Sequence, residues 1–85
     1  MPRFYFNLFN LISATDPEGR DCSSVDEAKE EAKADIHSIL RDDIASYGRV
    51  DLRGRIEITD GNRNVVETVD FLDAIELLLP EPRHD

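Results

Sequence analysis

The sequence predicts an α+β domain: an antiparallel sheet of three or four strands packed against one long helix, with a short C-terminal helix. Three observations carry this. Apolar residues recur at spacings of three and four from Ser24 to Tyr47, the period of one helix face. Arg3 to Phe9 alternates aromatic with other residues, the period of a strand. Two further alternating runs flank a tight turn at Asp60–Arg63, as in a hairpin. With 85 residues the chain is read as one domain over 1–80, followed by a polar tail over 81–85. Strand order stays open.

The first strand places Phe4, Phe6 and Leu8 on one face and Tyr5, Asn7 and Phe9 on the other. Large apolar groups on both faces predict a central position. Asp16-Pro17-Glu18-Gly19 is turn chemistry, since proline presets one dihedral and glycine supplies positive φ. A short strand over Arg20–Ser23 is expected to return beside the first.

Ser24-Val25-Asp26-Glu27 has the capping-box form. The serine hydroxyl accepts from the Glu27 amide, and the Glu27 carboxylate reaches back to the Ser24 amide. The inward stripe is Val25, Ala28, Ala32, Ile36, Ile39, Leu40, Ile44 and Tyr47. Its first turns use alanine, which predicts a close approach there, and Gly48 ends the helix. Glu30, Glu31, Lys33, Asp35, Arg41 and Asp42 make the opposite face.

Arg55–Thr59 reads as a half-buried strand and Asn64–Val69 as its return. The adjacent Val65 and Val66 leave the register open, because a one-residue slip exchanges the faces. Asp70–Leu79 is expected to form the short helix, with Asp70 as N-cap and Pro80 as stop. Phe71, Leu72, Ile75, Leu78 and Leu79 then offer either core or a partner surface.

The net charge is −9, from 19 acidic and 10 basic residues, which argues against binding nucleic acid by charge attraction. A single cysteine, Cys22, excludes an internal disulfide or a cysteine-built zinc site and suits a reducing cytosol. The N-terminal residues lack the pattern of a signal peptide, and no apolar run is long enough to span a bilayer. A cytoplasmic location off the membrane is therefore expected.

Candidate chemistry is sparse. Asp60, Asn62 and Asn64 match the first ligand positions of an EF-hand loop, but Val65 and Phe71 stand where its glycine and glutamate belong. Cys22 lies near the helix start, where a dipole lowers a thiol pKa. Its potential base His37 stands roughly 20 Å along the helix by the rise per residue. His84 falls in the tail. Glu30/Glu31 and Asp42/Asp43 are sequence neighbours and share no face. No catalytic residue, cofactor or metal is expected.

The chain resembles an uncharacterised family of short bacterial proteins, domain of unknown function 6894. The likeness rests on Met1-Pro2-Arg3-Phe4-Tyr5-Phe6, Asp16-Pro17-Glu18-Gly19, Asp26-Glu27-Ala28, Ile58-Thr59-Asp60, Val65-Val66-Glu67-Thr68-Val69 and Phe71. It departs at Arg63, where relatives carry the turn glycine. The resemblance brings no established activity. The strand, turn, glycine and Glu27-Ala28 helix start are also similar in layout to HicB-type antitoxins, and layout alone does not give function. The leading expectation is a non-enzymatic interaction or regulatory module binding itself, as a homodimer, or another protein. An antitoxin-like protein neutralising a basic partner is the alternative. A small ligand-binding domain or enzyme is the second alternative; it requires a concave site holding Tyr5, His37 and carboxylates.

Overall fold

The computed structural model describes residues 1–83. In chain order it contains β1 (Arg3–Phe9), β2 (Arg20–Asp21), α1 (Val25–Tyr47), β3 (Arg55–Thr59), β4 (Val65–Asp70) and a 3₁₀ turn, Phe71–Ala74. The strands form one antiparallel sheet in the order β2-β1-β3-β4, so the aromatic strand is central, as its two apolar faces predict. Phe6 pairs with Ile58, Leu8 with Ile56, and Ile56 with Val69. This register puts Phe4, Phe6, Ile56, Ile58 and Val69 on the face that α1 covers. Tyr5, Asn7, Phe9, Arg55 and Glu57 occupy the other.

The α1 start is half of a capping box. Ser24 is extended and its hydroxyl accepts from the Glu27 amide at 3.1 Å, but the Glu27 carboxylate accepts from the Ser23 hydroxyl instead of reaching the Ser24 amide. Ala28, Ala32, Ile36 and Leu40 are buried on the sheet. The two alanines carry no side-chain bulk beyond Cβ, which lets the start of α1 lie close to the sheet. At the far end Gly48 takes φ 63° and donates its amide to Ile44 at 2.9 Å.

β2 is two residues long because the segment before it leaves the ladder. Ala14 bridges to Leu8 and Arg20 pairs with Phe4, but between them the Asp16 carboxylate replaces a backbone carbonyl, accepting from the Phe6 amide at 3.1 Å. The hairpin between β3 and β4 turns through Gly61-Asn62-Arg63, with Asp60 and Asn64 bonded at 2.9 Å across its base. Arg63 sits at φ 66°, the left-handed third position of such a turn. One extra residue is absorbed at the Val65–Val66 step, where the β3–β4 register shifts.

The C-terminal helix expected over Asp70–Leu79 is reduced to the four-residue 3₁₀ turn. Asp70 caps nothing with its side chain; it extends β4 opposite Arg55. The Phe71 amide then donates to the Gly54 carbonyl at 2.9 Å, and its ring packs where a Cβ on Gly54 would lie 2.8 Å away. By Ile75 the backbone is extended again, at φ −132° and ψ 160°. A radius of gyration of 15.0 Å, against about 12 Å for a compact chain of this length, and a long axis of 56 Å show how far the chain departs from a sphere.

Candidate functional site

Three places gather polar or apolar groups that the fold does not need for its sheet. The first lies where β2 meets the start of α1. Cys22 is fully buried, and its Sγ–H donates to Glu31 at 3.1 Å. Glu31 also accepts from Arg20 at 3.3 Å, and Arg20 pairs with Asp35 and lies 4.3 Å over the Phe6 ring. Cys22, Glu27 and Glu31 bring one ligand atom each within 4.8 Å of one another. Each is already engaged, Glu27 by Ser23 and Glu31 by both Cys22 and Arg20. Burial and the Glu31 carboxylate push the thiol up to about 11, overturning the lowered value expected beside a helix N-terminus. The hydrogen bond from Cys22, with Arg20 behind it, holds the Glu31 carboxyl below its usual range. This is a polar clasp joining β2 to α1.

The second is a shallow cleft of about 580 Å³ on the uncovered face of the sheet, where Tyr5, Asn7, Asp16, Glu57, Thr59 and Arg63 meet. His37 is elsewhere. It stands on α1, across the sheet from Tyr5, and its Nε2–H donates to the Ala74 carbonyl at 2.6 Å, pinning the 3₁₀ turn. Tyr5 lines this cleft, whereas His37 lines a different groove beside α1. Asp60 is occupied too: its carboxylate accepts from the amides of Asn62 (2.8 Å) and Asn64 (3.0 Å), so the hairpin uses the oxygen an EF-hand would give to calcium.

The third is apolar. The 23 residues of α1 span about 34 Å, whereas strands of five to seven residues reach only about 17–23 Å, so the helix overhangs its sheet. Ile44 and Tyr47, at the end of the predicted stripe, are 52% and 68% exposed. Val50 lies exposed just beyond them. Leu40, Ile44, Val50 and Ile75 line a groove of about 420 Å³, with His37, Arg41 and Glu76 at its rim.

The five residues expected to offer either core or a partner surface divide by exposure. Leu72 is exposed, Ile75 is half-buried in the groove wall, and Leu78 and Leu79 are 79% and 75% exposed. Phe71 moves to the core at 2% exposure, because its amide and ring are both committed to Gly54. Leu77, Ile44, Tyr47 and Val50 are exposed as well, beyond what the short apolar run predicts. The available signal was the stripe itself, which is longer than any strand it faces. His84 of the polar tail lies outside the described residues.

Fold and surface together define a small ββαββ domain, a single helix on a four-stranded antiparallel sheet, with an apolar end beyond its core. The chain belongs to the family described as domain of unknown function (DUF6894), which it matches over residues 3–72. That match takes in the sheet, α1 and the start of the 3₁₀ turn; the segment Ile75–Pro80 lies past it. Comparison with curated proteins and with solved structures finds no match.

Proposed function

We propose that this chain is a non-enzymatic protein-interaction module, and that it works through the apolar end formed by the α1 overhang and Ile75–Leu79. The observation behind this reading is the exposure of Ile44, Tyr47, Val50, Leu72, Leu77, Leu78 and Leu79 on a chain of net charge −9. Grouped exposed apolar side chains mark contact surfaces on soluble domains. The polar groups that chemistry would draw on support the same reading, because Cys22, Glu31, Asp16 and Asp60 are each engaged in fixing the fold.

The test compares wild type with the double variant Leu78→Asp/Leu79→Asp, each tagged and recovered from native cells. The expected result is a stoichiometric partner, identical or different, held by wild type and lost by the variant, with unchanged circular dichroism. Equal recovery by both proteins would remove the apolar end from the function. A second reading, an antitoxin-like chain neutralising a basic protein, draws on the acidic excess and on the outward carboxylates of α1. Salt separates the two, as argued below.

A further inference from the structure

Resting on that reading, we propose that the occupant of the groove beside α1 is the leucine run Leu77–Leu79 of a second copy of this chain, carried out by the Ile75–Pro80 segment and exchanged reciprocally about a two-fold axis. Each copy carries both halves of the contact. The groove is walled by Leu40, Ile44, Val50 and Ile75. The segment begins at that wall, where Ile75 is half-buried with an extended backbone, and continues with neither helix nor strand. Leu77, Leu78 and Leu79 follow at 51%, 79% and 75% exposure, so they stand clear of their own body.

Drawn out fully, six residues reach about 20 Å, enough to cross from one groove to its symmetry mate. An element that starts at the rim of its own binding groove and points away meets the equivalent groove when two copies approach isologously, and the exchange closes as a dimer. Charge fits the same occupant. Arg41 stands at the groove rim, 74% exposed, and pairs with neighbouring Asp42 at 3.7 Å. Arg49 lies nearby over the Tyr47 ring at 5.1 Å. The arriving segment carries Glu76 and Glu81 around its leucines. On the α1 side of the apolar groove, Arg41 and Arg49 match an acid-flanked leucine segment, and this chain supplies one; the groove's own Glu76 lies on the Ile75 side.

The experiment measures mass in solution by sedimentation over a dilution series. It uses wild type, the segment variant Leu78→Asp/Leu79→Asp, the groove variant Ile44→Asp, and an equimolar mixture of the two variants. All substituted side chains are at least half exposed, so folding is retained and is checked by circular dichroism. The expected result is a wild-type dimer of twice the 9.7 kDa chain. Each variant alone should have its dissociation constant raised at least tenfold. The mixture should regain association, because an intact segment meets an intact groove in one of its two contacts. A wild-type dimer unaffected by both variants would overturn the exchange, since the copies would meet elsewhere. A wild-type monomer would also overturn it; capture of a different protein that still depended on Leu78 and Leu79 would then leave the interaction reading standing. Capture that ignored both leucines would end that reading as well.

Discussion

Asp16 does more for the fold than its place in a turn implies. Its Oδ2 accepts from the Phe6 amide, its Oδ1 from the amides of Glu18 and Gly19, and its own amide donates to the Asn7 side chain at 3.0 Å. Partial burial pushes its carboxyl up, but the amides of Gly19, Phe6 and Glu18, with the charge of Arg20, pull it further down, below the ordinary value of 3.8. Because the folded value is depressed, this stabilisation is complete above pH 3.8 and is lost as pH falls through the lower folded value. Asp16→Ala should cost about 2 kcal/mol at pH 7, the scale of hydrogen bonds to a charged group. Urea titrations of both proteins should show the gap narrowing below pH 3.8. Arg63 is the opposite case, a residue the fold tolerates. It holds φ 66° at a turn position that favours glycine. Left-handed backbone costs a non-glycine residue roughly 1–2 kcal/mol, and the greater unfolded-state freedom of glycine returns about half of that. Arg63→Gly should therefore raise stability by about 0.5–1 kcal/mol and the melting midpoint by about 3–6 °C, readable by calorimetry.

The two ends of α1 differ in what they contribute. Its start is capped by Ser24 and leads into Ala28 and Ala32, buried against the sheet; its end runs past the sheet into solvent. Ser24→Ala should cost about 1 kcal/mol by removing the bond to the Glu27 amide. Tyr47→Ala should stay within about 0.5 kcal/mol, because little is buried there. Chemical unfolding of the two variants side by side checks this. The same comparison explains what was legible in the sequence. α1, β1, β3 and the hairpin each have a period that only one element satisfies, and each could be read directly. The 3₁₀ turn could not. Leu72, Ile75, Leu78 and Leu79 have helical spacing, but a short apolar run fits several structures. A ten-residue helix is marginal unless its face is buried. Asp70 was claimed by the β4 ladder and Phe71 by Gly54, so the start of that helix was committed to contacts made far away in sequence and only the single 3₁₀ turn Phe71–Ala74 formed. Asp16 was hidden for a related reason: a carboxylate standing in for a ladder carbonyl leaves no periodic trace. The apolar end was half legible. Its leucines were visible, but the overhang of Ile44 and Tyr47 requires comparing helix length with strand length.

At the scale of the whole molecule, the net charge of −9 bears on both proposed readings with opposite signs. Two copies of this chain repel through their acidic excess, so an exchange of apolar segments must form against that repulsion. Salt shortens the Debye length from about 30 Å at 0.01 M to about 8 Å at 0.15 M, which weakens repulsion between like surfaces while leaving apolar burial intact. Homodimerisation should therefore strengthen severalfold across that range, and sedimentation at the two salt concentrations measures it. Local Arg41 and Arg49 contacts to Glu76 and Glu81 would be screened too, but surface pairs of this kind contribute about 0–1 kcal/mol each. The net effect then follows the global charge. A complex with a basic protein has the reverse dependence, since its attraction is what salt removes, and its association rate should fall as ionic strength rises. Dimer formation that weakens with salt would place the contact on the charged faces and away from the leucines. Strengthening with salt, together with loss in Leu78→Asp/Leu79→Asp, fits only an apolar contact between like-charged copies.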